Sequence, residues 1–211
     1  MKLATSCTSI TLALGMAFLT IQPSQAAFIA PTFVAGSDDY VTAEWDVFTE
    51  LSLPNHPDIS LMSGGLTSAP SVTDYAIINN EPSALITSTA NIYSFAAPID
   101  ITLESNFVGL TPTNIMFQFK SLVNQADYDS LALTVQTTEG TQILSPGYGE
   151  EISSALGEVE YGFQWNLSSL NLTSDVFNIN YVASGSSMSL DRARLDYTGN
   201  DATSVQQLSV T

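Results

Sequence analysis

The sequence predicts an all-β fold, an antiparallel two-sheet β-sandwich of jelly-roll type, on three observations. Beyond residue 38 the side chains alternate apolar and polar with the two-residue period of a half-buried strand. Clusters of Gly, Pro, Asn and Ser interrupt these runs at short intervals. No window of useful length carries a helical period, and Glu150 to Leu156 has room for a single turn only.

Each run can be justified from its residues. Val41, Ala43, Trp45 and Val47 share one parity, with Thr42, Glu44 and Asp46 between them. Ile99, Ile101 and Leu103 alternate with Asp100, Thr102 and Glu104. Ile115, Phe117 and Phe119 alternate with Met116, Gln118 and Lys120, and Leu131, Leu133 and Val135 with Ala132, Thr134 and Gln136. Val159, Tyr161, Phe163 and Trp165 form the longest aromatic face, and Phe177, Ile179 and Tyr181 a further one. Val, Ile, Thr and aromatic residues favour this pleated setting. Thr137-Thr138-Glu139-Gly140-Thr141 reads as a hairpin turn. At the last strand the phase slips: Met188 and Leu190 put even positions inward, while Ala193, Leu195 and Tyr197 put odd positions inward. One inserted residue near Asp191-Arg192, a β-bulge, accounts for the slip. The count is about ten strands, the spacing of a sandwich or barrel.

Residues 1–26 read as a secretory signal peptide. Lys2 supplies the positive start, Ile10 to Ile21 the apolar centre, and Ser24-Gln25-Ala26 the small residues for cleavage before Ala27. The apolar run is about 12 residues, short of the roughly 20 that span a bilayer. The expected organisation is a leader over 1–26, one domain over 28–200 and a tail over 201–211. The mature chain is expected to be secreted or held at the cell surface, with no membrane span.

Composition narrows the function. Twenty-one acids face four basic residues, a formal net charge of −17. Four cations cannot build a nucleic-acid surface against that field. The single Cys7 lies in the leader, so no disulfide framework is expected. His56 is the only histidine, which leaves zinc without a ligand set and a Ser-His-acid triad without supporting motifs.

The segment Ser186-Ser187-Met188-Ser189-Leu190-Asp191-Arg192-Ala193-Arg194-Leu195-Asp196 carries a resemblance, together with Ala43-Glu44-Trp45-Asp46-Val47-Phe48 and Phe163-Gln164-Trp165-Asn166-Leu167-Ser168. It resembles the closing strands of secreted bacterial β-sandwich proteins of the PEP-CTERM-exported type, here without the C-terminal sorting tag. The resemblance covers about a third of the chain. It implies a jelly-roll fold and an export route rather than an activity.

Candidate site residues follow from chemistry. Ca²⁺ takes six to eight oxygen ligands. Asp127 and Asp129 stand at i, i+2 in a loop, Glu44 and Asp46 repeat that spacing in the first strand, and Asp191 and Asp196 lie in the last. First and last strands often meet in a sandwich, which would bring Glu44 or Asp46 to Asp191. The alternative is that these acids are solvated or paired with Arg192 and Arg194. For sugar binding, the aromatics off the inward parity or in loops are Tyr40, Phe48, Tyr75, Tyr93, Tyr128 and Tyr148. Tyr148, between glycines, and Tyr128 are the chosen ligand candidates, while Trp45 and Trp165 read as core. The carboxylate pairs Glu150-Glu151 and Glu158/Glu160 are the visible options for a glycosidase. The resulting expectation is a non-catalytic binding module at the cell surface or matrix, with glycans as the named ligand class. Its rivals are a structural or adhesive surface protein, and a carbohydrate-active enzyme.

Overall fold

The structure is a computed structural model that describes residues 28–29, 31, 39–63, 69–122, 126–155 and 157–199. The leader, the tail and Asn124-Gln125 lie outside the described residues. Thirteen strands run through the described residues: β1 (Tyr40–Trp45), β2 (Ile59–Ser63), β3 (Tyr75–Asn79), β4 (Leu85–Ile86), β5 (Ile92–Ser94), β6 (Asp100–Ser105), β7 (Asn114–Leu122), β8 (Ala132–Thr137), β9 (Gly140–Leu144), β10 (Tyr148–Ala155), β11 (Glu158–Asn166), β12 (Phe177–Val182) and β13 (Met188–Thr198). They exceed the expected ten because β2, β4 and β5 are too short or too irregular to show a period. Glu150–Ala155 belongs to β10, so the single helical turn allowed there does not form. A register shift between Glu151 and Ser153 breaks the strand's alternation, which hid it in the sequence.

Two antiparallel sheets form. The larger has the order β10-β11-β7-β13-β1-β2, with β4 and β5 attached beside β13, and the smaller has the order β3-β6-β12-β8-β9. Eight of the strands trace a jelly roll. The chain alternates between sheets so that β1, β13, β7 and β11 lie side by side in one, and β6, β12, β8 and β9 in the other. The hairpin at Thr138-Glu139 joins β8 to β9, and Gly140 there has φ +106°, a conformation that favours glycine.

The inward faces meet as the alternation predicts. Trp45, Phe117, Phe119, Phe163, Trp165, Leu195 and Tyr197 of one sheet pack against Ile101, Leu133, Phe177, Ile179 and Tyr181 of the other, all essentially inaccessible. The Phe119 ring lies tilted at 4.6 Å from the Tyr181 ring and stacks at 5.9 Å on Phe163. Each buried aromatic of this kind removes 150–250 Å² of surface from water, the dominant source of folding free energy. Tyr75 and Tyr197 share a hydroxyl–hydroxyl hydrogen bond of 2.9 Å in this core, and burial pushes both phenols up. Val47 departs from the expected pattern: β1 ends at Trp45, and Val47 is 43% exposed.

Two features depart further from a half-buried sheet. First, β13 carries its bulge at Asp191, where the register with β7 slips between Leu190 and Arg192. There β13 changes neighbours, pairing with β5 over Met188–Leu190 and with β1 from Ala193 onward. Second, the outer face of the larger sheet is itself buried. Across β1, β13, β7 and β11 its rows read Thr42, Asp196, Met116, Gln164, then Glu44, Arg194, Gln118, Gly162. Ile29 lies on this face, its N–H donating to Gln118 Oε1 at 3.2 Å and its carbonyl accepting from Gln118 Nε2 at 2.8 Å. Phe28 sits 5.1 Å beneath the Arg192 guanidinium. Among the described residues no helix is long and apolar enough to cross a membrane.

The segment between β1 and β2 is fastened by Asn55. Its Oδ1 accepts from the Thr49 and Glu50 N–H groups, its Nδ2 donates to the Glu50 carbonyl, and its own carbonyl accepts from Trp45 Nε1. Asn55→Ala orphans two backbone donors beside the core. Urea unfolding should show a loss of about 2–4 kcal/mol, against about 0.5 kcal/mol or less for the neighbouring exposed Ser52→Ala.

Candidate functional site

The acids chosen as metal ligands fall into two places. Glu44, Asp46 and Asp191 lie along the outer face of the larger sheet, where the first and last strands do meet. Each is engaged by a cation. Arg194 Nη1 donates to Glu44 Oε1 at 2.7 Å, Arg192 Nε to Asp46 Oδ1 at 2.5 Å, and Lys120 Nζ lies 3.2 Å from Asp191 Oδ2 and 2.6 Å from Glu158 Oε2. A divalent ion at any of these carboxylates would have to displace a guanidinium or an ammonium. Asp127 and Asp129 stand elsewhere, in the passage from β7 to β8. Asp127 caps a 3₁₀ turn over Tyr128–Ser130, its Oδ1 accepting from the Asp129 N–H at 3.1 Å. The five acids are therefore not brought around one point, and no group of three or more His, Cys, Asp or Glu is placed to hold a metal among the described residues.

The deepest member of the network is Asp196, the second acid that the sequence places in the last strand. Asp196 is wholly buried, gripped by Arg194 Nε and Nη2 at 2.7 and 2.9 Å and by the Thr42 hydroxyl at 2.6 Å. Burial pushes its carboxyl up, while the guanidinium and the hydroxyl pull it back down. Lys120 is nearly buried. Desolvation pulls its ammonium down, but Glu158 and Asp191 outweigh it and hold the pKa up. The bulge at Asp191 has a local reason here: the extra residue turns a carboxylate to the outer side of the sheet, beside Lys120.

The aromatic candidates divide. Phe48 and Tyr75 are fully buried, contrary to the expectation of exposure. Tyr75 opens β3 on the inward parity, and Phe48 turns in as its N–H bonds the Ala90 carbonyl. Tyr128 is partly exposed and packs edge-on against Phe163 and Tyr161 at 5.4 and 5.9 Å, which ties it to the core. Partial burial raises its phenol, followed by Tyr161 and the carboxylates of Glu151 and Glu150. Tyr148 is half-buried on the outer face of the larger sheet, beside Met116 and Ile152, rather than standing free between its glycines. Trp45 and Trp165 are core, as expected. His56 is exposed, with Nδ1 2.7 Å from the Tyr75 carbonyl, a backbone partner rather than a serine or carboxylate.

A cleft that no sequence motif marks lies at the end of the sandwich. The chain crosses from β9 to β10 through 145–147, and β11 leaves its sheet through Asn166 into the turn 167–170. Between them is a cavity of about 350 Å³, with Leu144, Trp165, Leu167 and Leu170 supplying apolar wall and Ser145, Asn166 and Ser169 polar groups. Three bonds set its shape: Trp165 Nε1 to the Leu144 carbonyl at 3.1 Å, Gly147 N–H to the Gln164 carbonyl at 2.9 Å and Leu167 N–H to the Thr113 carbonyl at 2.7 Å. A smaller hollow of about 120 Å³ continues it past Ser169 and Leu170 to Glu139, Gln142 and Asn171. The two linings together contain one carboxylate, Glu139, and no cation. The signal in the sequence was the Gly/Pro/Ser composition of 145–149, which marks a loop and not a cavity. No protein-family model and no curated protein sequence matches this chain.

Lys120→Met leaves Asp191 and Glu158 facing an apolar stem. Urea unfolding should lose about 1–3 kcal/mol, whereas Glu158→Gln, at the exposed end of the same pair, should lose about 1 kcal/mol or less.

Proposed function

We propose that this chain is an exported, non-catalytic binding module whose cleft between 144–147 and 165–171 takes an uncharged sugar at the cell surface or in the matrix. The observation that carries the reading is the character of the cleft wall. The half-buried Leu144 and Leu170 offer apolar surface to the C–H face of a ring, backed by the core residues Trp165 and Leu167, and Ser145, Asn166, Ser169 and Asn171 border it with hydroxyl and amide groups. An anionic ligand finds no cation there and meets the negative field of the whole chain. Hydrolysis of a glycosidic bond requires two carboxylates about 5–10 Å apart, and the cleft offers Glu139 alone. Glu150 and Glu151 point to opposite sides of β10, and Glu158 is tied to Lys120, so neither glutamate pair serves as such a dyad. The jelly-roll fold is compatible with sugar binding but does not itself assign it.

A second reading rests on β9, the edge of the smaller sheet, where Ile143 is 73% exposed. An unpaired edge with an exposed apolar residue can add a strand from another protein, the adhesive alternative.

A glycan array with the purified mature chain separates the two. The sugar reading expects binding to neutral glycans, reduced about ten-fold or more in Ser145→Trp, which fills the cleft from an exposed position. Absence of binding, or binding that the filled cleft leaves unchanged, would reject the cleft as the site. Self-association reduced by Ile143→Lys would favour the edge strand instead.

A further inference from the structure

We infer that the outer face of the larger sheet is a peptide-binding groove, filled within one chain by its own residues 28–31, and that it takes the same segment from a second copy. An antiparallel sheet on the surface commonly turns one face to water. On this face Gln118, Gln164 and Asp196 are at most 2% exposed and Lys120 8%. Phe28 and Ile29, from a distant part of the chain, lie against it. Phe28 and Pro31 are buried and Ile29 is half-buried.

The segment is held as a bound peptide is held, by side chains of the face. Gln118 Nε2 donates to the Ile29 carbonyl at 2.8 Å, and its Oε1 accepts from the Ile29 N–H at 3.2 Å. One amide thus supplies both bonds that a neighbouring strand would make. No backbone–backbone bond to Phe28, Ile29 or Pro31 occurs among the described residues. Two side-chain contacts add a choice of sequence. The Phe28 ring lies 5.1 Å from the Arg192 guanidinium, which Asp46 fixes, a cation–π contact. Ile29 packs against Met116 and Ile152, an apolar cluster on this face apart from the main core. Backbone bonds for affinity and side-chain seats for specificity are the usual division of labour in peptide recognition.

A second copy carries the matching peptide by construction, and exchange of an identical segment needs no surface that the single chain lacks. Residues 32–38 tie Pro31 to Asp39, which presents the segment to its own face at an effective concentration of order millimolar. A dilute chain therefore fills its own groove. Exchange sets in where chains are crowded to a comparable concentration. The groove is separate from the cleft, whose lining shares no residue with it.

The Phe28→Gly/Ile29→Gly variant of the mature chain keeps the groove and loses its occupant. Its NMR amide shifts report what enters. Two probes are added to it: a synthetic peptide of residues 27–32, and the Gln118→Leu chain, which keeps the segment and loses its own clamp. Both should move the Gln118 and Met116 signals, with half-saturation at about 1 mM, and the parent chain, its groove filled, should bind the peptide about ten-fold more weakly. Shifts in response to neither probe would overturn the inference, as would equal shifts from a peptide carrying Phe28→Ser and Ile29→Ser. Response to the peptide but not to the chain would reject a second copy as the occupant. Should the open variant not fold, the peptide must restore its cooperative urea transition, and failure to restore it overturns the inference as well.

Discussion

Arg194 and Asp196 are the pair on which the closing strand depends. Asp196 is an acid with no contact to water, and an unpaired carboxylate in that position would cost several kcal/mol. A bidentate guanidinium from the same strand and a hydroxyl from β1 make the burial tolerable, and Arg194 then reaches on to Glu44 of β1. The strand that ends the jelly roll is thus tied to the strand that begins it by charge as well as by backbone pairing. Arg192 with Asp46, and Lys120 with Asp191, repeat the arrangement toward the bulge. An acidic chain with few cations has placed Lys120, Arg192 and Arg194 on this one face.

That placement shapes the rest of the surface. Cations engaged in holding β13 between β1 and β7 already have carboxylate partners. The cleft between 144–147 and 165–171 is bordered by hydroxyl and amide groups over an apolar wall. The engagement of these three cations is the physical fact that secures the closing strands. It also explains why the carboxylates of the first and last strands, although brought together, answer to guanidinium and ammonium groups.

The inward face was legible in the sequence because a period of two is imposed by the strand itself. Trp45, Phe117, Phe163, Ile179 and Tyr181 all point where their parity says, and the phase slip at Asp191 marks a real bulge. The outer face was legible only in part. Pairing of its acids with Arg192 and Arg194 was one of the two readings, and Arg192 does meet Asp46 and Arg194 Glu44. Its burial was not legible, since nothing in a strand's own pattern reveals that Ile29 will reach Gln118 from a distant part of the chain. Phe48 and Tyr75 were misplaced for a related reason: a residue at the edge of a run has no neighbours to fix its parity. The candidate cleft shares that difficulty, because it is assembled from 144–147 and 165–171, which only the three-dimensional register brings together.

A double-mutant cycle on Arg194 and Asp196, followed by urea unfolding, tests the central claim most directly. Arg194→Met alone should lose about 3–5 kcal/mol, because it strands a buried carboxylate. Adding Asp196→Asn should restore most of that loss, giving a coupling energy of about 2 kcal/mol or more. If Arg194→Met unfolds at the parent's urea concentration, or if the two losses simply add, the closing strand is held by packing alone and the role given to this ion pair is wrong.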